Sequence, residues 1–352
     1  MPTGRGKKQR SAAPDADALK IGGTAIPPGS RATVEIPVAD LYTHTSLTMP
    51  VHVVNGRHAG PTLFVSAAVH GDEINGVEII RQLLKLRALR ALRGSLIAVP
   101  IVNVFGFLNL TRYLPDRRDL NRAFPGSERG SVTARLANLF AAEIVAKADC
   151  GIDLHTGAVH RANLPQIRAD LDDPRTRLLA EAFGVPVLIN ATVRDGSLRE
   201  FTAENGIPML LYEAGEALRF DELSIRAGLR GILRVMRELG MLARGRQPRP
   251  AVAPVIARSS SWIRAPASGI VRTVTALGAH VKRNETLGVV SDPFGVSDIP
   301  IAAPFAGIVI GCNNLPLSHE GDALYHVARF ESTREAARSV ATFHSGISDE
   351  TD

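Results

Sequence analysis

Between residues 51 and about 242, apolar, β-branched runs alternate with segments whose apolar residues recur at helical spacing. This alternation constrains the chain most. Strands buried on both faces read as continuous apolar runs, so the pattern predicts an α/β fold with a largely parallel sheet flanked by helices. Several helix ends are marked. Residues 74 to about 92 place Val77, Ile80 and Leu84 on one face, with Gly94 beyond them. Asp173 followed by Pro174 reads as an N-cap and first helical position, with Gly184 as the stop. Ser197 and Glu200 form a capping-box pattern ahead of Gly206. Asp221 opens a long helix carrying Leu229, Ile232, Leu233 and Met236, which Gly240 ends.

Outside that region the pattern changes. Residues 1–19 are small, polar and basic, and are expected to be a disordered tail. Short strands with turns are expected from 20 to 48, so the main domain spans 20–245. A proline-rich linker, Arg244-Gly-Arg-Gln-Pro-Arg-Pro-Ala-Val-Ala-Pro254, breaks the periodicity and marks a boundary. Beyond it, Ala265-Pro-Ala-Ser-Gly-Ile-Val271 recurs as Ala303-Pro-Phe-Ala-Gly-Ile-Val309. The repeat lies among short strands and turns, which predicts a small all-β, barrel-like domain over 258–332. It resembles the biotinyl/lipoyl barrel, whose two halves begin this way. Lys282 lacks the flanking residues of a modified lysine, so a structural module without a swinging arm is expected. The tail from 333 to 352 reads as a short helix and then disorder. With 352 residues and 45% hydrophobic content, the chain can bury one large core and a smaller second one.

Four strand-end motifs carry candidate chemistry. The run Thr62-Leu-Phe-Val-Ser-Ala-Ala-Val69 leads into His70 and Glu73. Gly151-Ile-Asp-Leu-His-Thr-Gly157 delivers His155, and Pro208-Met-Leu-Leu-Tyr-Glu-Ala-Gly215 delivers Glu213. Between them lies Thr111-Arg-Tyr-Leu-Pro-Asp-Arg-Arg-Asp-Leu-Asn-Arg122. Ligands gather at the carboxyl ends of strands in α/β sheets. Two imidazoles and a carboxylate delivered there suit Zn²⁺, which takes nitrogen and oxygen ligands and, in catalytic sites, keeps one position open for water. Asp153 could orient a ligand imidazole, and His160 competes with His155 as a ligand.

In this order and with these neighbours, the motifs resemble the succinylglutamate desuccinylase/aspartoacylase family, a branch of the zinc carboxypeptidase fold, over about 45–240. The resemblance implies one zinc per chain held by His70, Glu73 and His155. It also implies Glu213 as the catalytic carboxylate, with Glu216 as the alternative. Arg112 would polarise the scissile carbonyl, with Arg117 and Arg118 as competitors for that role. Asn121 and Arg122 would grip a substrate carboxylate, and Arg168 could add a contact.

The function expected from this resemblance is a zinc-dependent amidohydrolase that deacylates an N-acyl amino acid or a related amine. A carboxypeptidase-like metallopeptidase and a non-catalytic scaffold are the alternatives. The net charge of +6 is scattered over the chain, with Arg226, Arg230, Arg234 and Arg237 on one presumed solvated helix face. No aromatic-interleaved basic patch suggests nucleic acid, and no run of 18 apolar residues suggests a membrane span. Small-molecule substrates and a homo-oligomer fit this chain better. Two cysteines, Cys150 and Cys312, and the lack of an apolar leader point to the reducing cytoplasm.

Overall fold

The computed structural model describes residues 16–191, 194–243 and 253–348. Residues 1–15 of the expected tail, 244–252 of the linker and 349–352 at the C-terminus lie outside the described residues. Strands β1 (Leu19–Ile21) and β2 (Thr24–Ile26) form a small hairpin. Then come β3 (Ser30–Asp40), β4 (Ser46–Asn55), β5 (His58–Ala67), α1 (Asn75–Lys85), β6 (Arg93–Val99) and the short α2 (Val104–Leu108). Next are α3 (Val132–Glu143), β7 (Cys150–Gly157), β8 (Arg161–Ala169), α4 (Pro174–Phe183) and β9 (Val187–Asn190). α5 (Leu198–Glu204), β10 (Met209–Glu216) and α6 (Glu222–Glu238) complete this region.

The centre of the sheet runs β6-β5-β7-β10, all parallel. The flanks, β4 and β3 on one side and β8 on the other, are antiparallel. The sheet is therefore mixed, and its parallel part carries the ligand-type strand ends. Side-chain alternation along each strand builds a core on each face. Leu63, Val65 and Ala67 of β5 pack with Ile79, Leu83, Phe183 and Ile232 beneath α1, α4 and α6. Phe64, between them in sequence, points to the other core with Leu136 and Phe140 of α3.

Helix boundaries follow local caps. The Asp173 carboxylate accepts from Thr176 N, and Gly184 closes α4 at φ +82°. Asp221 caps α6 by accepting from Ser224 N. Two details differ from the expectation. The stretch from 74 to 92 is not one helix: Leu86 is extended at ψ 130°, and a 3-10 turn (Arg87–Ala91) follows α1. At α5 the Ser197 hydroxyl accepts from Glu200 N, but Glu200 accepts from Gly196 N instead of returning to Ser197 N. The α6 arginines are also more than a solvated face. Arg230 Nη1 donates to Gly346 O and Arg234 Nη1 to Phe183 O, tying α6 to neighbouring helices.

The C-terminal region holds β11 (Val255–Ala257), β12 (Ser259–Arg264), β13 (Gly269–Thr273), β14 (His280–Val281) and β15 (Thr286–Ser291). β16 (Asp298–Ala302), β17 (Gly307–Asn313), β18 (Leu317–Ser318), β19 (Ala323–Arg329) and α7 (Thr333–Ser348) follow. The two repeat copies enter β13 and β17 at their glycines, and Ala265 and Ala303 are buried in one shared core with Val271 and Val309. Lys282 stands exposed on the turn after β14. This region has its own core yet does not hang free. β17 pairs with β8, β19 with β17 and β12 with β19, extending the central sheet, while β11 pairs with β9. Both cysteines are buried and unbonded. Among the described residues no helix is long and apolar enough to cross a membrane.

Candidate active site

His70 and Glu73 follow the carboxyl end of β5, and His155 stands near the end of the adjacent β7. The turn after β5 is tight. A Cβ on Gly71 would lie 1.9 Å from the Gly106 carbonyl carbon, so only glycine fits there. The two histidines and Glu73 are nearly fully buried. Glu73 Oε1 is 2.8 Å from His70 Nδ1, and Oε2 is 2.7 Å from His155 Nδ1. The two Nδ1 atoms are 3.2 Å apart. Tetrahedral zinc with bonds near 2.1 Å spaces its ligand atoms about 3.3 Å apart, so this donor set fits the ion.

The outer nitrogens are held in a complementary way. His155 Nε2 lies 2.6 Å from Asp153 Oδ2, and Asp153 Oδ1 accepts from the Ser66 hydroxyl at 2.7 Å. His70 Nε2 lies 3.0 Å from Asp119 Oδ1. Carboxylates on both Nε2 atoms select the tautomer whose Nδ1 lone pair faces inward, as the acceptors behind metal-binding histidines do. Burial alone would drive both imidazoles neutral. For His70 this is outweighed by Glu73 and Asp119, and for His155 by Asp153 and Glu73, so both pKa values stand above the usual histidine value. Burial likewise opposes the charge on Glu73, but the two imidazoles hold its carboxyl well below the usual range. A cation seated among these atoms would take the place of their protons.

Asp119 had no expected role, yet it joins the site to Arg112. Arg112 donates from Nη2 and Nε to Asp119 Oδ2 at 2.9 and 3.2 Å, and from Nη1 to Glu73 Oε1 at 3.2 Å. Its position as cap of the 3-10 turn (Leu120–Arg122) was the available signal. Arg117 and Arg118 are exposed and do not line the cleft.

Glu213 lies opposite His155 on the neighbouring parallel strand β10. Its Oε2 accepts from Asn163 Nδ2 at 2.5 Å, and Arg168 Nε approaches Oε1 at 3.6 Å. Glu216 instead accepts from His160 N and Asn314 Nδ2, outside the cleft. His160 itself is exposed. Asn121 Oδ1 accepts from Leu198 N at the start of α5, which leaves its amide nitrogen for other partners. Arg122 is exposed at the cleft, where burial and the Arg194 and Arg112 charges lower its pKa despite Asp119.

His70, Glu73, Arg112, Asn121, Arg122, His155 and Glu213 line one cleft of about 420 Å³. Arg112, Arg122, Arg161, Arg168, Arg194 and Arg199 face it, against the carboxylates of Glu73, Asp153 and Glu213. Burial and the nearby Arg168 pull Arg199 down to about 10. Ser260, Trp262 and His326 from the C-terminal strands complete the wall, a contribution that motif reading did not suggest.

Residues 59–239 match the family model for the succinylglutamate desuccinylase/aspartoacylase catalytic domain. The N-alpha-acetyl-L-2,4-diaminobutyric acid deacetylase of Halomonas elongata is 27% identical over 309 residues, covering 84% of this chain and 90% of that protein. The succinylglutamate desuccinylase of Burkholderia cenocepacia is 31% identical over 182 residues, or 47% of this chain and 52% of that one. A solved succinylglutamate desuccinylase/aspartoacylase structure from Rhodobacter sphaeroides is similar with a TM-score of 0.75 at 28% identity. It covers 85% of this chain and 96% of that one.

Proposed function

We propose that this chain, which belongs to the succinylglutamate desuccinylase/aspartoacylase family, is a zinc-dependent amidohydrolase that deacylates N-acyl amino acids. The observation that carries this reading is the convergence of His70 Nδ1, His155 Nδ1 and the Glu73 carboxylate in the cleft that Glu213 also lines. Relatives named for deacetylation and desuccinylation of amino acids support the substrate class. Zinc bound by these three residues would act as a Lewis acid and lower the pKa of a water toward about 7.

Glu213 is the proton carrier. Asn163 holds its Oε2, and Oε1, which Arg168 approaches at 3.6 Å, takes a proton from the attacking water and passes it to the departing nitrogen. A carbon–oxygen bond forms, the amide carbon–nitrogen bond breaks, and a carboxylic acid and an amine leave. Arg112, steadied by Asp119, presents its guanidinium to the carbonyl oxygen as negative charge develops there, an effect commonly worth a few kcal/mol. Arg122 and the free amide nitrogen of Asn121 bind the amino-acid carboxylate, the arginine by its planar fork.

Release of primary amine from N-acetyl and N-succinyl amino acids, by zinc-supplied and chelator-treated protein, tests the reading. Turnover that disappears with the metal and returns on adding zinc is expected. Equal turnover after chelation, or none on the whole panel, overturns it.

A further inference from the structure

We propose that the C-terminal strands supply a substrate subsite in which His326, Trp262, Arg161 and Arg168 receive a carboxylate-bearing arm of the substrate beyond Glu213. The identity of the ligand as substrate rests on the hydrolase reading above. The site itself rests on one row of residues across the sheet. Trp262 pairs with His326, His326 with Gly311, Gly311 with Asn163, and Asn163 with Gly215. The His326 ring stacks on the indole at 4.7 Å and 10°. Gly311, between His326 and Asn163, bears no side chain. A Cβ there would stand 2.9 Å from Asn163 Oδ1 and 3.2 Å from His326 Cβ. The missing side chain leaves open the space between His326 Cβ and the Asn163 side chain, which holds the proposed proton carrier Glu213.

One polar atom in this wall, His326 Nδ1, has no hydrogen-bond partner among the described residues, and Arg168 Nε makes no hydrogen bond, only the 3.6 Å ion pair with Glu213 Oε1. His326 is only 5% exposed, yet it lines the cleft, as Arg168 does. A buried polar atom left without a partner is costly, so it calls for a water, an ion or a ligand group to meet it. The surroundings select the ligand's charge. Arg161 lies over the indole at 5.3 Å from the ring centre. Burial and the Arg168 charge pull His326 down to about 3, so its imidazole is neutral and can donate one N–H. Of the three carboxylates lining the cleft, Glu73 and Asp153 hold His155, and Glu213 is bound by Asn163 and approached by Arg168 at 3.6 Å. The unmet His326 nitrogen and the nearby guanidinium groups therefore suit an anionic oxygen. Arg122, proposed above to bind the amino-acid carboxylate, is a separate side chain, so this arm would carry a second acidic group.

Trp262 is the only tryptophan of the chain, so its emission reports on this wall without any labelling. We would titrate zinc-supplied protein with succinate, and with succinamide as the uncharged control, following indole fluorescence and calorimetry together. His326→Phe keeps a flat ring against Trp262 and removes the nitrogen. A saturable emission change with succinate alone, and a Kd raised tenfold or more in His326→Phe, is the expected result. Succinate that binds by calorimetry with silent indole emission overturns the proposal. So does a His326→Phe Kd within twofold of the original, or no binding at all. The wild-type emission stands as a test even if His326→Phe does not fold. Amine release from the N-acyl panel, measured on the same preparation, separates the two readings. Turnover with a failed titration removes the subsite alone, whereas a successful titration without turnover removes the hydrolase reading alone.

Discussion

Replacing Asp153 by asparagine should weaken zinc binding by roughly tenfold to thirtyfold while leaving every proposed ligand in place. Asp153 is fully buried on β7, two residues before His155. A carboxylate offers acceptors only, so His155 Nε2 at 2.6 Å and the Ser66 hydroxyl at 2.7 Å both donate to it. That demand turns the Nδ1 lone pair toward Glu73 and His70. Asparagine has the same shape, but one of its ends is itself a donor. Its oxygen can still accept from Nε2 if the Ser66 hydroxyl rotates to accept from the amide nitrogen. What disappears is the charge. A hydrogen bond to a charged group is worth about 1.5–3 kcal/mol net, roughly twice a neutral one. About 1.4–2 kcal/mol of preference for the ligating tautomer would be lost, and each 1.4 kcal/mol is about tenfold. The result falls in the lower part of the 10–100-fold range typical of such outer partners. Competition for zinc with a chromophoric chelator at neutral pH measures it. Ser66→Ala, which removes a bond on the far side of Asp153 and leaves its contact with His155 in place, should cost only a few-fold. Zinc affinity within twofold of wild type in a folded Asp153→Asn protein would refute the reasoning.

Glu213→Gln should retain zinc by elemental analysis yet lose roughly 10²–10⁴-fold in turnover, because the amide cannot carry the proton; near-normal rates would remove the residue from that role. Arg122→Ala should raise KM for N-acyl amino acids by at least tenfold, and Arg122→Lys should recover only part of this. An uncharged N-acyl amine should be nearly indifferent to both changes, and equal losses on both substrates would assign Arg122 to the fold instead. His326 has a folded pKa of about 3 against 6.5 when unperturbed. Above 6.5 neither state holds the extra proton, whereas between 6.5 and about 3 mainly the unfolded chain does. Stability should therefore fall as the pH is lowered through that window, by up to about 1.4 kcal/mol per unit. His326→Phe should flatten that slope in denaturant titrations at stepped pH, and an unchanged slope counts against a buried neutral imidazole.

Local features of the chain specified what local physics can specify. The continuous apolar runs of β5, β7 and β10 could be strands only in a sheet covered on both faces, and such strands deliver His70, His155 and Glu213 at or near their carboxyl ends. Caps such as Asp173 and Asp221 were readable because an N-cap acts within three residues. The family motifs lie in this same local class, each a strand end and its turn. What only the tertiary structure decided depends on register between distant segments. Asp119 meets His70 at a separation of 49 positions in the chain, and Asn163 meets Glu213 at one of 50. The choice of Arg112 over Arg117 and Arg118 at the cleft, and of Glu213 over Glu216, was likewise a matter of which way a loop or a strand end turned. The C-terminal repeat announced a small β core, but not that β17 would pair with β8 and carry Trp262 and His326 to the cleft. Alternation tells which side of a strand is buried. It does not name the neighbouring strand, because backbone hydrogen bonds are the same for every sequence and only the assembled packing selects the partner.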